Sequence, residues 1–181
     1  MENLEELRYP TGYFTCPTNI SDVQIKEWIL ALETFPERLE DTVNGLSQVQ
    51  LETPYRPEGW TVRQVIHHLA DSHHHSYTRF KWALTEEIPV IKAYEEKAWS
   101  NLLDAQTAPI SISLNYLKAI HSKLVYMLKG LSDKQLNRYY VHPVGNTKVS
   151  VAKNIGKYAW HGNHHLAHIQ NLIRREAWMV S

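Results

Sequence analysis

The 181-residue chain has one cysteine, seven glycines, eight prolines and no net charge. A single thiol, Cys16, excludes an internal disulfide and suits a reducing compartment. The 19 basic and 19 acidic side chains cancel. That balance leaves no basic field for nucleic acid and none of the excess charge that keeps a chain disordered. No apolar run approaches the ~20 residues that a membrane span needs, so no membrane partner is expected. The opening MENLEELRYP is acidic and has no apolar core. It reads as no signal peptide, and a cytoplasmic protein is expected. A chain of this length forms one domain, residues 1–181, and buries roughly 70% of its unfolded surface without staples.

Sparse Gly and Pro fall between periodic stretches, which predicts long helices. The first follows Ser21 as N-cap, with Ile25, Trp28, Leu32, Phe35 and Leu39 on one face. Pro36 interrupts this stripe and predicts a break or kink, with a second piece to about Leu46. The second helix follows Thr61, carries Val62, Val65, Ile66, Leu69, Ser76, Phe80 and Leu84 on one face, and ends before Pro89. The third starts near Ser111 or Ser113 and repeats Leu114, Leu117, His121, Leu124, Leu128 and Leu131, with Gly130 marking its end. Tyr139–Val141 and Lys148–Val149 flank a Gly145–Asn146 turn, the pattern of a short β-hairpin. The fourth helix starts from Ser150, with a stripe of Ile155, Ala159, Gly162, Leu166, Ile169 and Ile173. The fold class is therefore all-α, a four-helix bundle with a short hairpin before its last helix. The long connection from Ile88 to Ile110 is expected to cross the bundle and pack.

Histidine is in excess. Of 11, nine fall in two windows: His67, His68, His73, His74 and His75, then His161, His164, His165 and His168. Such clustering points to a metal. On a helix, residues four apart share a face, so His161/His165 and His164/His168 are both chelating pairs by spacing. Measured from the centre of the apolar stripe, His165 lies about 80° away and His161 about 120° on the same side, whereas His164 lies about 180° away. On the second helix His68 lies about 120° from the stripe centre, with Ser72, His75 and Arg79 on its flank. If these polar strips face each other, His68 meets His161 and His165. Three neutral imidazoles with one position open are the pattern of catalytic zinc. The other imidazoles have plainer readings. His121 and His73 are core histidines; His67, His74 and His164 lie on the surface; His75 and His168 read as solvated, with a place behind the metal ligands as the alternative. Asp71 points away from the stripe, and the Trp and Tyr residues belong to the core. Arg79 and the Glu86–Trp99 segment are candidates for lining a pocket. No phosphate-binding Gly-rich loop, C-x-x-C or Ser elbow competes.

The segments TPYRPEGWTVRQVIHHLADSH (53–73), SYTRFKWALTEEIP (76–89), AYEEKAWS (93–100) and YAWHGNHHLAHI (158–169), with LRYPTGYF near the start, resemble the YfiT-type metal-dependent hydrolases of the DinB-like superfamily. The resemblance implies an up-down four-helix bundle, a homodimer and a divalent metal, Zn²⁺ first and Ni²⁺ second, held by three histidines. By motif position these are the second His of HHLADSH and the first and third of HGNHH: His68, His161 and His165. It implies a hydrolase in which the ion activates a bound water against a small-molecule substrate. Related proteins imply a second activity, a metal-dependent S-transferase that adds bacillithiol or another low-molecular-weight thiol to an electrophile. A third class is a non-catalytic metal-binding stress-response dimer.

Overall fold

Three of the four long helices begin where a hydroxyl takes up a free backbone N–H. Ser21 Oγ accepts from the amide of Gln24, Thr61 Oγ1 from Gln64 and Ser150 Oγ from Lys153. The Gln64 side chain returns a bond to the Thr61 amide, completing a capping box. The computed structural model describes residues 4–178. Its elements are α1 (Leu4–Arg8), α2 (Asp22–Val43), α3 (Gln48–Leu51), α4 (Val62–Thr85), α5 (Glu96–Trp99), α6 (Leu103–Thr107), α7 (Ile110–Lys129), α8 (Asp133–Leu136), β1 (Tyr139–His142), β2 (Thr147–Ser150) and α9 (Val151–Arg175). No helix among the described residues is long and apolar enough to cross a membrane.

The expected four-helix bundle is formed by α2, α4, α7 and α9. Contacts along these helices give their directions. Trp28 and Phe35 meet Gly156 and Gly162 in that order, so α2 and α9 run parallel. His67 meets Ser113 and His73 meets His121, so α4 and α7 also run parallel. Ser76 reaches Asn154 while His68 faces His161, so α4 and α9 oppose each other. The chain thus runs up, down, down and up: the expected four-helix bundle forms, but its helices do not alternate in the expected up-down order. Two parallel neighbours joined in sequence require a connection as long as the bundle. That is the crossover from α4 to α7, which packs across the bundle as expected and carries α5 and α6.

Two expectations about helix ends need correction. The predicted break at Pro36 does not occur: α2 continues through it with Phe35, Pro36 and Leu39 all buried. Proline has no N–H for the carbonyl four residues back. Here the ring nitrogen Nδ1 of His121 bonds that carbonyl, Leu32 O, at 2.6 Å. The third long helix, α7, starts at Ile110 with Pro109 at its N-cap, ahead of the serines expected to open it.

The hairpin forms as expected, with Tyr140 opposite Val149 and a turn in which Gly145 and Asn146 both take positive φ. Tyr140 OH donates to Asn154 Oδ1, and Asn154 Nδ2 donates to Ser76 Oγ, tying the hairpin to α9 and α4. Buried apolar residues form two clusters. One holds Ile25, Phe80, Leu124 and Ile155, the other Phe35, Leu69, Leu117 and Ile169. Between these two levels the bundle carries imidazoles: His73, His121 and His161.

Candidate metal centre

α4 and α9 each present a polar strip beside an apolar seam, and their antiparallel packing brings the strips together. His68, His161 and His165 each offer one ring nitrogen, all within 4.8 Å of one another. The Nε2 atoms of His68 and His161 are 3.3 Å apart. Two nitrogens bound to one zinc ion at the usual length, at a tetrahedral angle, sit about 3.3 Å apart. The ring of His165 lies edge-on to those of His68 and His161, with centroids at 4.9 and 4.6 Å.

Burial sets the charge of these rings. It pushes the His68 pKa down to about 4. His161 and His165 lie well below the ordinary histidine value, first through burial and then through the neighbouring imidazoles. All three are therefore neutral at pH 7, the state in which a histidine ligates a metal. The donor set and its spacing fit a divalent ion.

A cavity of about 700 Å³ opens over these rings, within the range of small-molecule sites. Its walls come from distant parts of the chain. Tyr55 and Trp60 belong to the turn before α4, Trp160 to α9, and Arg8 and Tyr9 to the end of α1. Trp60 packs beside His68 with centroids 4.6 Å apart, and Tyr55 stacks on His168 at 4.0 Å. The turn is tight: Tyr55 N donates to Trp60 O, and a Cβ on Gly59 would meet Arg56 Cγ at 2.7 Å. The crossover adds Glu96 and Lys97. With Arg8, Arg56 and Glu58, the wall carries three cations and two carboxylates.

Several histidine expectations change. His67, His164 and His168, read as surface or solvated, are all buried. His67 bonds Ser113 Oγ at 2.7 Å and Ala108 O at 3.2 Å. His164 stacks on Trp160 and bonds Thr11 Oγ1. His168 bonds His165 and the Arg8 carbonyl. In each case a segment remote in sequence covers the outer face of the helix. His74 is exposed as expected, held by Tyr116 OH at 2.6 Å. His73 and His121 are core histidines as expected, and His73 also reaches Nδ1 of His161 at 3.2 Å. Asp71 is not on the cavity wall; burial raises its pKa to about 6, with Asp104 adding to the shift. Arg79 is buried and donates to Tyr158 OH at 3.1 Å, off the cavity wall. Tyr55 is a core residue as expected and also lines the cavity, as do Trp60 and Trp160; only the apolar, half-polar character of such rings hinted at the second role.

Comparison with known proteins places these features in context. The family model described as the DinB superfamily matches residues 31–169. A protein of Oceanobacillus iheyensis named "Putative metal-dependent hydrolase" is 49% identical, over 94% of this chain and 98% of its own length. "Putative metal-dependent hydrolase YfiT" of Bacillus subtilis is 46% identical, over 95% of this chain and 97% of its own. The solved structure of YfiT, described as having an unusual four-helix bundle topology, superposes with a TM-score of 0.94 over 96% of this chain and 99% of that one.

Proposed function

The chain belongs to the DinB superfamily, and from that premise we propose a metal-dependent hydrolase of a small molecule, with His68, His161 and His165 as the ligands of one divalent ion. The carrying observation is three neutral imidazoles converging within 4.8 Å at the wall of a cavity. Imidazole ligands with one open position suit Zn²⁺ first and Ni²⁺ next. When bound, such an ion lowers the pKa of a coordinated water and polarises a substrate oxygen. The chain's own residues supply the rest. Tyr55, Trp60 and Trp160 exclude bulk water and give a substrate apolar surface. Arg8, Arg56 and Lys97 draw an anionic group toward the site. Glu58 and Glu96 are the wall's carboxylates, the groups able to take up a proton there.

Metal titration of two variants tests the ligand set. His161→Ala should lose stoichiometric binding of a divalent ion, while His164→Ala, one turn position away, should keep it. Equal metal content in the two would sink the assignment.

The three wall cations favour a second reading, a metal-dependent S-transferase using an anionic low-molecular-weight thiol of the bacillithiol type. Zinc favours thiolate strongly. Thermal stabilisation by such thiols that requires the metal would select this reading. Turnover of ester or amide substrates without thiol would select the hydrolase.

A further inference from the structure

Two hydrogen-bonded chains run outward from the candidate metal centre, and each ends on a backbone carbonyl. A carbonyl only accepts, so the ring nitrogen facing it carries the proton. His121 Nδ1 lies 2.6 Å from Leu32 O and therefore donates. A neutral imidazole has one N–H, so His121 Nε2 accepts, and its donor is His73 Nδ1 at 2.8 Å. His73 Nε2 must then accept, and its donor is His161 Nδ1 at 3.2 Å. That leaves the Nε2 of His161 bare, 3.3 Å from Nε2 of His68.

The second chain obeys the same rule from an unrelated start. His168 Nε2 lies 3.1 Å from Arg8 O and donates. Its Nδ1 accepts from His165 Nδ1 at 3.4 Å, which leaves the Nε2 of His165 bare. Both carbonyls are free for a local reason. Leu32 O would ordinarily bond the amide of residue 36, which is proline. Arg8 O ends α1, where helical carbonyls have no intrahelical donor. Phe35 holds the first chain in place, its ring 5.5 Å from both His73 and His121.

We propose that His73, His121 and His168 are positioning residues that lock His161 and His165 as Nδ1–H tautomers and so aim two Nε2 lone pairs at one divalent ion. The inference rests on the ligand assignment above. In water neutral histidine favours the other tautomer, with the proton on Nε2, where it blocks ligation. The chains remove that competition before the ion arrives, and groups in this role change metal affinity by about 10–100-fold.

Long-range ¹H–¹⁵N spectra of the metal-free, ¹⁵N-histidine-labelled protein at about pH 8, above the ordinary histidine range, read the tautomers directly. The expected result is Nδ1–H at His73, His121, His161 and His165, and Nε2–H at His168. An Nε2 proton on His161 or His165 overturns the proposal whatever any variant does. His121→Phe and His168→Phe keep ring packing but remove the acceptors. Each should weaken binding of Zn²⁺ by about 10–100-fold in competition with a chelator, still at one ion per chain. Unchanged affinity in both overturns the proposal. The two readings fail separately. Wrong tautomers in a protein that binds one ion sink only the chains. The expected tautomers in a protein that binds no divalent ion sink the ligand assignment, and the purpose given to the chains with it.

Discussion

His67 and His68 are neighbours in sequence and about 100° apart around α4. That rotation gives them different work. His68 faces the cavity, whereas both ring nitrogens of His67 are taken by Ser113 and Ala108, which pins the end of the crossover to α4. His67→Ala should therefore lower stability by about 1–3 kcal/mol, the cost of leaving buried partners unsatisfied, and leave metal stoichiometry unchanged. His68→Ala should abolish metal binding. Urea denaturation and metal titration check both; loss of the ion from the His67 variant would contradict the division. The faces of His68, His161 and His165 were legible from helical periodicity. The burial of His67, His164 and His168 was not. A helical angle measures distance from a helix's own apolar stripe and carries no information on what covers its outer face. Here Ala108 and Ser113 cover one helix, and Arg8 and Thr11 the other.

The elements show how one local irregularity serves a remote one. Pro36 was legible as a helix breaker, but α2 is held through it because Phe35, Pro36 and Leu39 are buried against its neighbours, while Glu33 and Glu37 stay exposed on the outer face. The freed carbonyl finds His121 on α7. Glycine on α9 follows similar logic. A Cβ at Gly162 would lie 3.0 Å from Cδ2 and Cε2 of Phe35, whose ring is 1% exposed and packed against His73 and His121. In an exposed helix Gly→Ala stabilises by about 1 kcal/mol. Gly162→Ala should instead destabilise by about 1–2 kcal/mol, because the contact has nowhere to relax. A rise in the urea midpoint would show that Phe35 can move. The crossover is held by Arg63, which donates to Glu52 Oε1, Gln48 Oε1 and Ala108 O and so joins α3, α4 and the start of α7. Its length was legible in the sequence; its anchor was not, since nothing in the spacing of Arg63 links it to Ala108.

Across the whole molecule, a belt of imidazoles divides the apolar core, and this makes the fold sensitive to acid. Burial holds His68 and His121 down to about 4, and His73, His161 and His165 well below the ordinary value. In the unfolded chain the same rings protonate near 6.5. The folded values lie below the unfolded ones, so the unfolded state binds more protons in this window. Stability is full above about 6.5 and is lost as pH falls toward 4, by up to about 1.4 kcal/mol per pH unit for each ring. Metal-free protein should take up at least about five protons on unfolding near pH 5, one for each of these rings, read from the pH dependence of urea stability. A flat profile between about pH 7 and 5 would contradict the burial of these rings as neutral groups. The positions of the four helices and the hairpin follow from short-range features: 3.6-residue periodicity, Ser and Thr caps, and a Gly–Asn turn. Such features act within a few residues, so they are written in the chain itself. The parallel course of α4 and α7, the cover over His164 and His168, and the proton held by each imidazole depend on which surfaces meet. Those meetings join residues up to about 160 positions apart, and no local pattern encodes them.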